Sequence, residues 1–441
     1  MSIAEVASLG QKIFFIVLIV STVLFSYRLL YAILGFGKRI TFKKAKYNHK
    51  FAILIPARNE SQVIGDLLCA LKSQTYPQEK FETFVIVKDS KDKTIEICEK
   101  FGYNCLVVPD QKCKGDALDS VIKHIYKNNL KFDAFLIFDA DNIPTKSFLK
   151  EMNKALDAGY DIGMGYRNSK NWNDGWVATA SGLTFSIVNT LSNKGRTKLG
   201  LNNIFSGTGY FIKESVISPY KSWIFKTLTE DYEISLYATL NNLKTTYVEN
   251  AEYFDEQPVK FKASVDQRTR WIKGFMSARK LYSAKIFKSI FTSKQNKASK
   301  IEQSIGVTPL VIIVVDVVLY ILLQVGLAVY AAATGLKYFV YLEALFKVIL
   351  ISFFVMQVIT LAMILAEKNR ANMSLKTKIS TIFTNPFFII SYIIPGLKAI
   401  FSKNVGWKEI KHSKTLETIE NSNTSLQAVE NEEAKEKVNK I

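Results

Sequence analysis

What most constrains this chain is the placement of its apolar residues, which fall in long runs at both ends around a middle of ordinary globular composition. Residues 13–34 are apolar apart from a few hydroxyls and Arg28. As a helix they would cover roughly 30 Å, one hydrocarbon thickness. The run exceeds a signal-peptide core, no small-residue cleavage site follows it, and Lys38, Arg39, Lys43, Lys44 and Lys46 come after it. A retained transmembrane helix within residues 1–37 is therefore expected rather than a cleaved leader. With only Lys12 ahead of the run, the basic bias places residue 38 onward in the cytosol. Arg28 is expected to snorkel or to face a partner helix.

Residues 307–334 and 345–366 form two more apolar runs, joined by a short polar turn that favours a hairpin of spans. Asp316, inside the first, is costly in hydrocarbon and should face a bundle, a polar path or neighbouring hydroxyls. Residues 379–401 are apolar but carry Pro386 and Pro395, which leaves a broken span, a re-entrant segment and an interfacial helix open. Together these define a C-terminal membrane region, 305–402. From 415 to 441 the chain is rich in Glu, Asn, Ser and Lys, a composition unable to bury a core, and is predicted disordered.

The formal charge of +19 needs an anionic counterpart, whether lipid headgroups, a phosphorylated substrate or nucleic acid. The basic runs border apolar spans instead of interleaving with aromatics, so membrane lipids are an expected partner and nucleic acid is not. Cys69, Cys98, Cys105 and Cys113 lack CxxC spacing and accompanying histidines, which predicts reduced structural thiols and no zinc site.

Between the apolar ends, residues 50–285 alternate β-rich runs (51–55, 84–87, 134–138) with helix-like stretches such as 62–73. This rhythm predicts an α/β domain whose mostly parallel sheet gathers ligands at the carboxyl ends of its strands. The polar motifs fall at those ends. Asp139 and Asp141 stand two residues apart beyond an apolar run and could hold Mg²⁺ or Mn²⁺ against a diphosphate. Pro56, Ala57 and Glu60 follow the first strand, where a carboxylate can meet a base or ribose. Lys114 and Gly115 offer a cation and close backbone approach to phosphate. Ser206-Gly207-Thr208-Gly209 precedes a strand-like run at 210–213. Thr229-Glu230-Asp231 opens a helix that can aim Asp231, as a general base, into a cleft. Gln267, Arg268, Arg270 and Trp271 lie in a helix-like, interfacial stretch whose guanidiniums suit phosphate oxygens and whose indole suits a sugar face. Solvated turns, helix caps and an acidic first helical turn are the alternative explanations for each motif taken singly.

In this order, PARNE, KGDAL, DADN, SGTG, TED and QRTRW resemble the family 2 glycosyltransferases, over roughly residues 50–280. More narrowly they resemble the membrane-embedded processive branch that makes cellulose, hyaluronan and poly-N-acetylglucosamine. The resemblance implies a GT-A, Rossmann-like mixed sheet with helices on both faces, flanked by transmembrane helices. It also implies inverting transfer from a nucleotide-sugar, a UDP-sugar in that branch, with Mg²⁺ or Mn²⁺ as cofactor. Carried over, Asp139 would touch the donor, Asp141 would ligate the metal, and Asp231, with Glu230 beside it, would serve as base. Pro56, Ala57, Glu60 and Lys114 would line the donor site, with Arg268 and Arg270 on the diphosphate. Gly207, Gln267 and Trp271 would meet the acceptor. Lys88 stands where the family has an Asp, and Asp89 substitutes by a one-residue shift. Residues 167–176 look like family sequence but receive no chemistry. A growing glycan is the expected acceptor, and single transfer to a lipid the alternative. A tethered binding protein without catalysis is disfavoured by the intact motifs. Three or four spans are few for a polymer channel, which leaves room for a homo-oligomer or accessory subunit. The expected location is the cell membrane, multi-pass, with the catalytic domain cytoplasmic.

Overall fold

In the computed structural model, residues 3–305 and 309–402 are described; the expected tail at 415–441 lies outside them. The first half of the sheet follows from period-two burial. Strand β1 (Phe51–Pro56) sends Phe51, Ile53 and Ile55 to one face, where they pack on Leu67, Leu71, Phe148 and Met152. Ala52 and Leu54 point to the other face, onto Leu118, Val121 and Ile122. The first face is covered by the helices Ile64–Lys72 and Phe148–Asp157, the second by Lys114–Lys127 and Glu230–Leu240.

Strands β2 (Phe81–Val87), β3 (Cys105–Val107) and β4 (Ala134–Ile137) complete a parallel set, with β1 between β2 and β4. Chain order therefore reverses direction at β1/β4, and in such sheets ligands bind in the crevice beyond the strand ends at that point. The rest of the sheet is mixed. With β5 (Ile143–Pro144), β6 (Ile162–Ser169), β7 (Tyr210–Lys213) and β8 (Thr245–Asp255), the order is β3-β2-β1-β4-β7-β6-β8-β5. β7 runs antiparallel to both neighbours and β8 parallel to β6. The βαβ rhythm that predicts parallel pairing thus holds only as far as β4. Between Gly165 and Tyr166 the β6/β8 register jumps, bulging Glu249, Asn250 and Ala251 out of the ladder.

Among the described residues, four helical segments are long and apolar enough to cross a membrane: Ser8–Phe36, Asp316–Ala333, Phe339–Ala366 and Leu375–Phe401. The last is broken, with Leu375–Ile390 carrying Pro386 internally and Ile393–Phe401 following a turn. Helix Pro309–Ala333 and helix Phe339–Ala366 form the expected hairpin, the second starting earlier than its apolar run suggested. Helix Ile3–Phe36 lies against the π-helical segment Ile187–Asn193 and helix Lys194–Lys198 so closely that a Cβ on Gly195 would sit 2.5 Å from the Tyr31 carbonyl oxygen. Arg28 faces a partner helix, with Nη2 3.7 Å from Glu302, and Asp316 is buried.

Candidate active site

The loop after β4 brings most of the polar motifs together. The Asp139 N–H donates to Thr208 Oγ1 at 2.8 Å and to Asn142 Oδ1 at 3.1 Å, which fixes the DAD turn against the SGTG loop. That loop needs its glycines. Gly209 has φ 66°, and a Cβ there would lie 2.2 Å from the Tyr253 ring; Gly207 has φ 74°. Lys114 opens helix Lys114–Lys127, whose start is fixed by a capping box in which Asp116 bonds back to the Cys113 N–H. From there Lys114 Nζ donates to Asp139 Oδ1 at 2.7 Å and to the Gly207 carbonyl at 2.6 Å, and stands 3.3 Å from Glu230 Oε1.

Glu230 and Asp231 are the first residues of helix Glu230–Leu240. Asp231 accepts a hydrogen bond from the Gly207 N–H. Burial raises its pKa, opposed by the Tyr232 N–H, Lys114, the Gly207 N–H and Arg167. Burial pushes the Glu230 carboxyl up to about 7, Lys114 pulls it down, and Asp231 and Asp139 push it further up. Burial works against the Lys114 ammonium, but Asp139, Glu230 and Asp231 outweigh it and raise its pKa. The result is the Lys114 ammonium set among three carboxylates, on the second of the two sheet faces just beyond β4.

Asp141 is 6% exposed, and its Oδ2 accepts from the Glu256 N–H at 3.3 Å. Its carboxyl also meets that of Asp255, at the end of β8. Burial and Asp141 push Asp255 up, to about 7, against the pull of Arg167. Asp255 carried no expectation, and Arg167 opens the family-like stretch to which no chemistry was given. They pair across the sheet, Arg167 donating through Nε and Nη2 to one oxygen of Asp255.

The two arginines of QRTRW part company. Both lie on helix Phe261–Thr292, but two residues are about 200° of helical turn. Arg270 faces Glu230, Asp139 and Asp231, although burial still lowers its pKa. Arg268, 1% exposed, faces the broken C-terminal segment instead: Nη1 donates to Ser391 Oγ at 3.0 Å, and the guanidinium lies over Phe388 and Tyr392 at 4.3 and 4.5 Å. It thus departs from the expected diphosphate contact. Gln267 and Trp271 line a small cavity with Ser181, Phe185, Arg268 and Tyr392, Trp271 meeting Phe185 edge-on at 5.6 Å.

The remaining residues expected on the donor side form a second region, at the ends of β1, β2 and β3. Pro56 ends β1, and the Ala57 N–H donates to the Ile86 carbonyl. The turn is then held by the N–H groups of Asn59 and Glu60, donating to Asp92 Oδ2 at 2.8 Å and Thr94 Oγ1 at 3.0 Å. Asp92, which carried no expectation, is therefore the carboxylate that folds this turn. Asp89 and Lys88 line an open cleft with Arg58, Asn59 and Val107, with the Lys91 N–H on Asp89 Oδ1.

Residues 49–274 match the model of a family described as glycosyltransferase like family 2. The probable glycosyltransferase YdaM of Bacillus subtilis is 25% identical over 303 residues, which cover 64% of this chain and 70% of the relative. A probable glucomannan 4-beta-mannosyltransferase 14 of Arabidopsis thaliana is 23% identical over 257 residues, 55% of this chain and 48% of the relative, so the chain spans about half that protein's length. The solved mannosyltransferase PcManGT of Pyrobaculum calidifontis, in complex with GDP-Man and Mn²⁺, superposes with a TM-score of 0.55 at 14% identity, over 89% of this chain and 99% of that one. This last likeness is one of fold.

Proposed function

Because the chain belongs to the family 2 glycosyltransferases, whose fold it shares, we propose that it transfers a sugar with inversion from a nucleotide-sugar to a growing glycan at a membrane, with Asp231 as general base. The observation that carries this reading is the Lys114-centred cluster, which puts Asp139, the Gly207 loop, Glu230 and Asp231 within one hydrogen-bonded unit at the sheet's switch point. The Gly207 N–H orients Asp231, and burial makes it a stronger base than an exposed carboxylate. It takes the proton of the acceptor hydroxyl as that oxygen bonds the anomeric carbon. The bond from that carbon to the phosphate oxygen breaks, and its electron pair leaves with the nucleoside diphosphate. Arg270, facing the same carboxylates, is placed to meet the departing charge. Arg268 supports the helix that carries it. Asp139 contacts the donor, whose nucleoside lies toward the Pro56, Ala57, Glu60 and Asp89 region, and Gly207, Gln267 and Trp271 lie on the acceptor side.

Among the described residues no group of three or more His, Cys, Asp or Glu side chains is spaced to hold a metal alone. Asp141 and Asp255 nevertheless put carboxyl groups in mutual contact, a donor set that fits a hard divalent cation completed by phosphate oxygens. Such an ion, Mg²⁺ or Mn²⁺, neutralises the leaving diphosphate when bound. In this reading residues 50–285 form the catalytic domain on the cytoplasmic side of the cell membrane, and residues 1–37 and 305–402 supply a multi-pass anchor.

Membranes containing the protein, incubated with radiolabelled UDP- and GDP-sugars and Mg²⁺ or Mn²⁺, should yield high-molecular-weight product from one donor. Asp231→Asn should lower the rate by about 10²–10⁴-fold. Label confined to a lipid extract would replace the polymer reading with single transfer to lipid. No turnover with any donor would defeat the proposal.

A further inference from the structure

We infer that Arg167 is a positioning residue for sugar transfer, holding Asp255 against Asp141 and buttressing the Gly207 loop that orients Asp231. The inference rests on the reading of Asp141 as the metal-side carboxylate. Arg167 sits on β6, 9% exposed, and three of its surroundings are parts of the site. Its Nε and Nη2 grip one oxygen of Asp255, which Gln257 Nε2 also reaches at 3.1 Å. Its guanidinium lies over the Phe185 ring at 3.7 Å, and Phe185 in turn meets Trp271. Its Nη1 is the nearest atom, at 3.5 Å, to a Cβ built on Gly207.

Asp255 is held on its other side by the Arg167 fork, which fixes where its carboxyl can meet that of Asp141. Arg167 supplies a charge that cannot be titrated away. A purely structural role explains the pair less well, because apolar residues of similar volume commonly serve stability as well as a buried ion pair does. Here the ion pair stands where Asp141, Gly207 and Trp271 converge. Residues that orient metal-side carboxylates typically alter metal affinity or activity by about 10–100-fold when replaced.

The test uses the full-length protein purified in detergent, with Mn²⁺ titrated in the presence of uridine or guanosine diphosphate and free Mn²⁺ read by electron paramagnetic resonance. Arg167→Met should weaken Mn²⁺ binding by about 10–100-fold and lower kcat more than it raises KM for the acceptor. Arg167→Lys, which keeps the charge without the fork, should fall between. It becomes the deciding variant if Arg167→Met does not fold. Asp141→Asn is the reference. Should Asp141→Asn lose Mn²⁺ while both Arg167 variants bind it as the native protein does, the role of Arg167 is overturned and the metal-side reading stands. Should Asp141→Asn itself bind Mn²⁺ normally, the metal-side reading fails and takes this inference with it.

Discussion

Glu230 and Asp231 are adjacent in sequence yet keep different company: Glu230 faces Lys114, and Asp231 faces the Gly207 N–H. Glu230, pushed from 4.5 up to about 7 by burial, binds its proton more tightly folded than unfolded. The unfolded chain therefore ionises first, and this residue's contribution to stability is full below 4.5 and declines as pH rises toward 7. Glu230→Gln should flatten that part of the pH dependence of Tm, measured by differential scanning fluorimetry in detergent. Lys114→Met removes the cation from three carboxylates and should cost about 1.5–3 kcal/mol, read as a lowered Tm together with a reduced rate. At this scale the sequence was legible where chemistry is written locally. Asp139, Lys114, Gly207, Glu230 and Asp231, flagged by four separate motifs, converge. Arg167 opens a stretch that looks like family sequence, but its role was not legible, since its partner Asp255 lies 88 positions away. Arg268 and Arg270 looked alike because a motif has no faces, whereas a helix does.

Elements tell the same story through burial. β1, β2 and β4 are apolar runs that any reader of periodicity finds, but β6 and β8 carry Arg167, Asn168, Glu249 and Glu252 and do not look like strands. Their polar groups are satisfied by distant partners: Asn168 Nδ2 donates to Glu252 and to the Arg370 carbonyl, and Tyr166 OH donates to Glu367. The β8 bulge turns Glu249 toward Lys194 at 3.1 Å and lets it accept from the Ile40 N–H at 3.0 Å. Lys194 is 5% exposed. Glu249→Ala would strand its ammonium, and a loss of about 3–5 kcal/mol is expected in thermal unfolding. Glu249→Ala combined with Lys194→Met should recover most of it, because the buried charge then disappears with its partner.

For the whole molecule, the first apolar helix is tied by side chains to the helices packed beside it. Arg196, 1% exposed, holds Glu302 with both Nη atoms, while Arg28 and Tyr27 of the first helix reach the same carboxylate. Glu302→Gln should destabilise the purified protein by about 3–5 kcal/mol by leaving the buried Arg196 charge without its carboxylate partner. Arg28→Ala, at a partly exposed pair, should cost no more than about 1 kcal/mol; calorimetry in detergent separates the two. The close crossing at Gly195 and Tyr31 has a wider meaning. A domain hung from a flexible leash samples a range of heights, and lengthening the leash widens that range. Here the first helix is clasped along its flank, and the stretch that follows is pinned at Ile40, Lys46 and His49 by Glu249, Asp157 and Asn153. In the proposed membrane arrangement the enzyme has a fixed working distance, like a lens in a rigid mount: it serves only acceptors presented at one depth, and the acceptor must come to it.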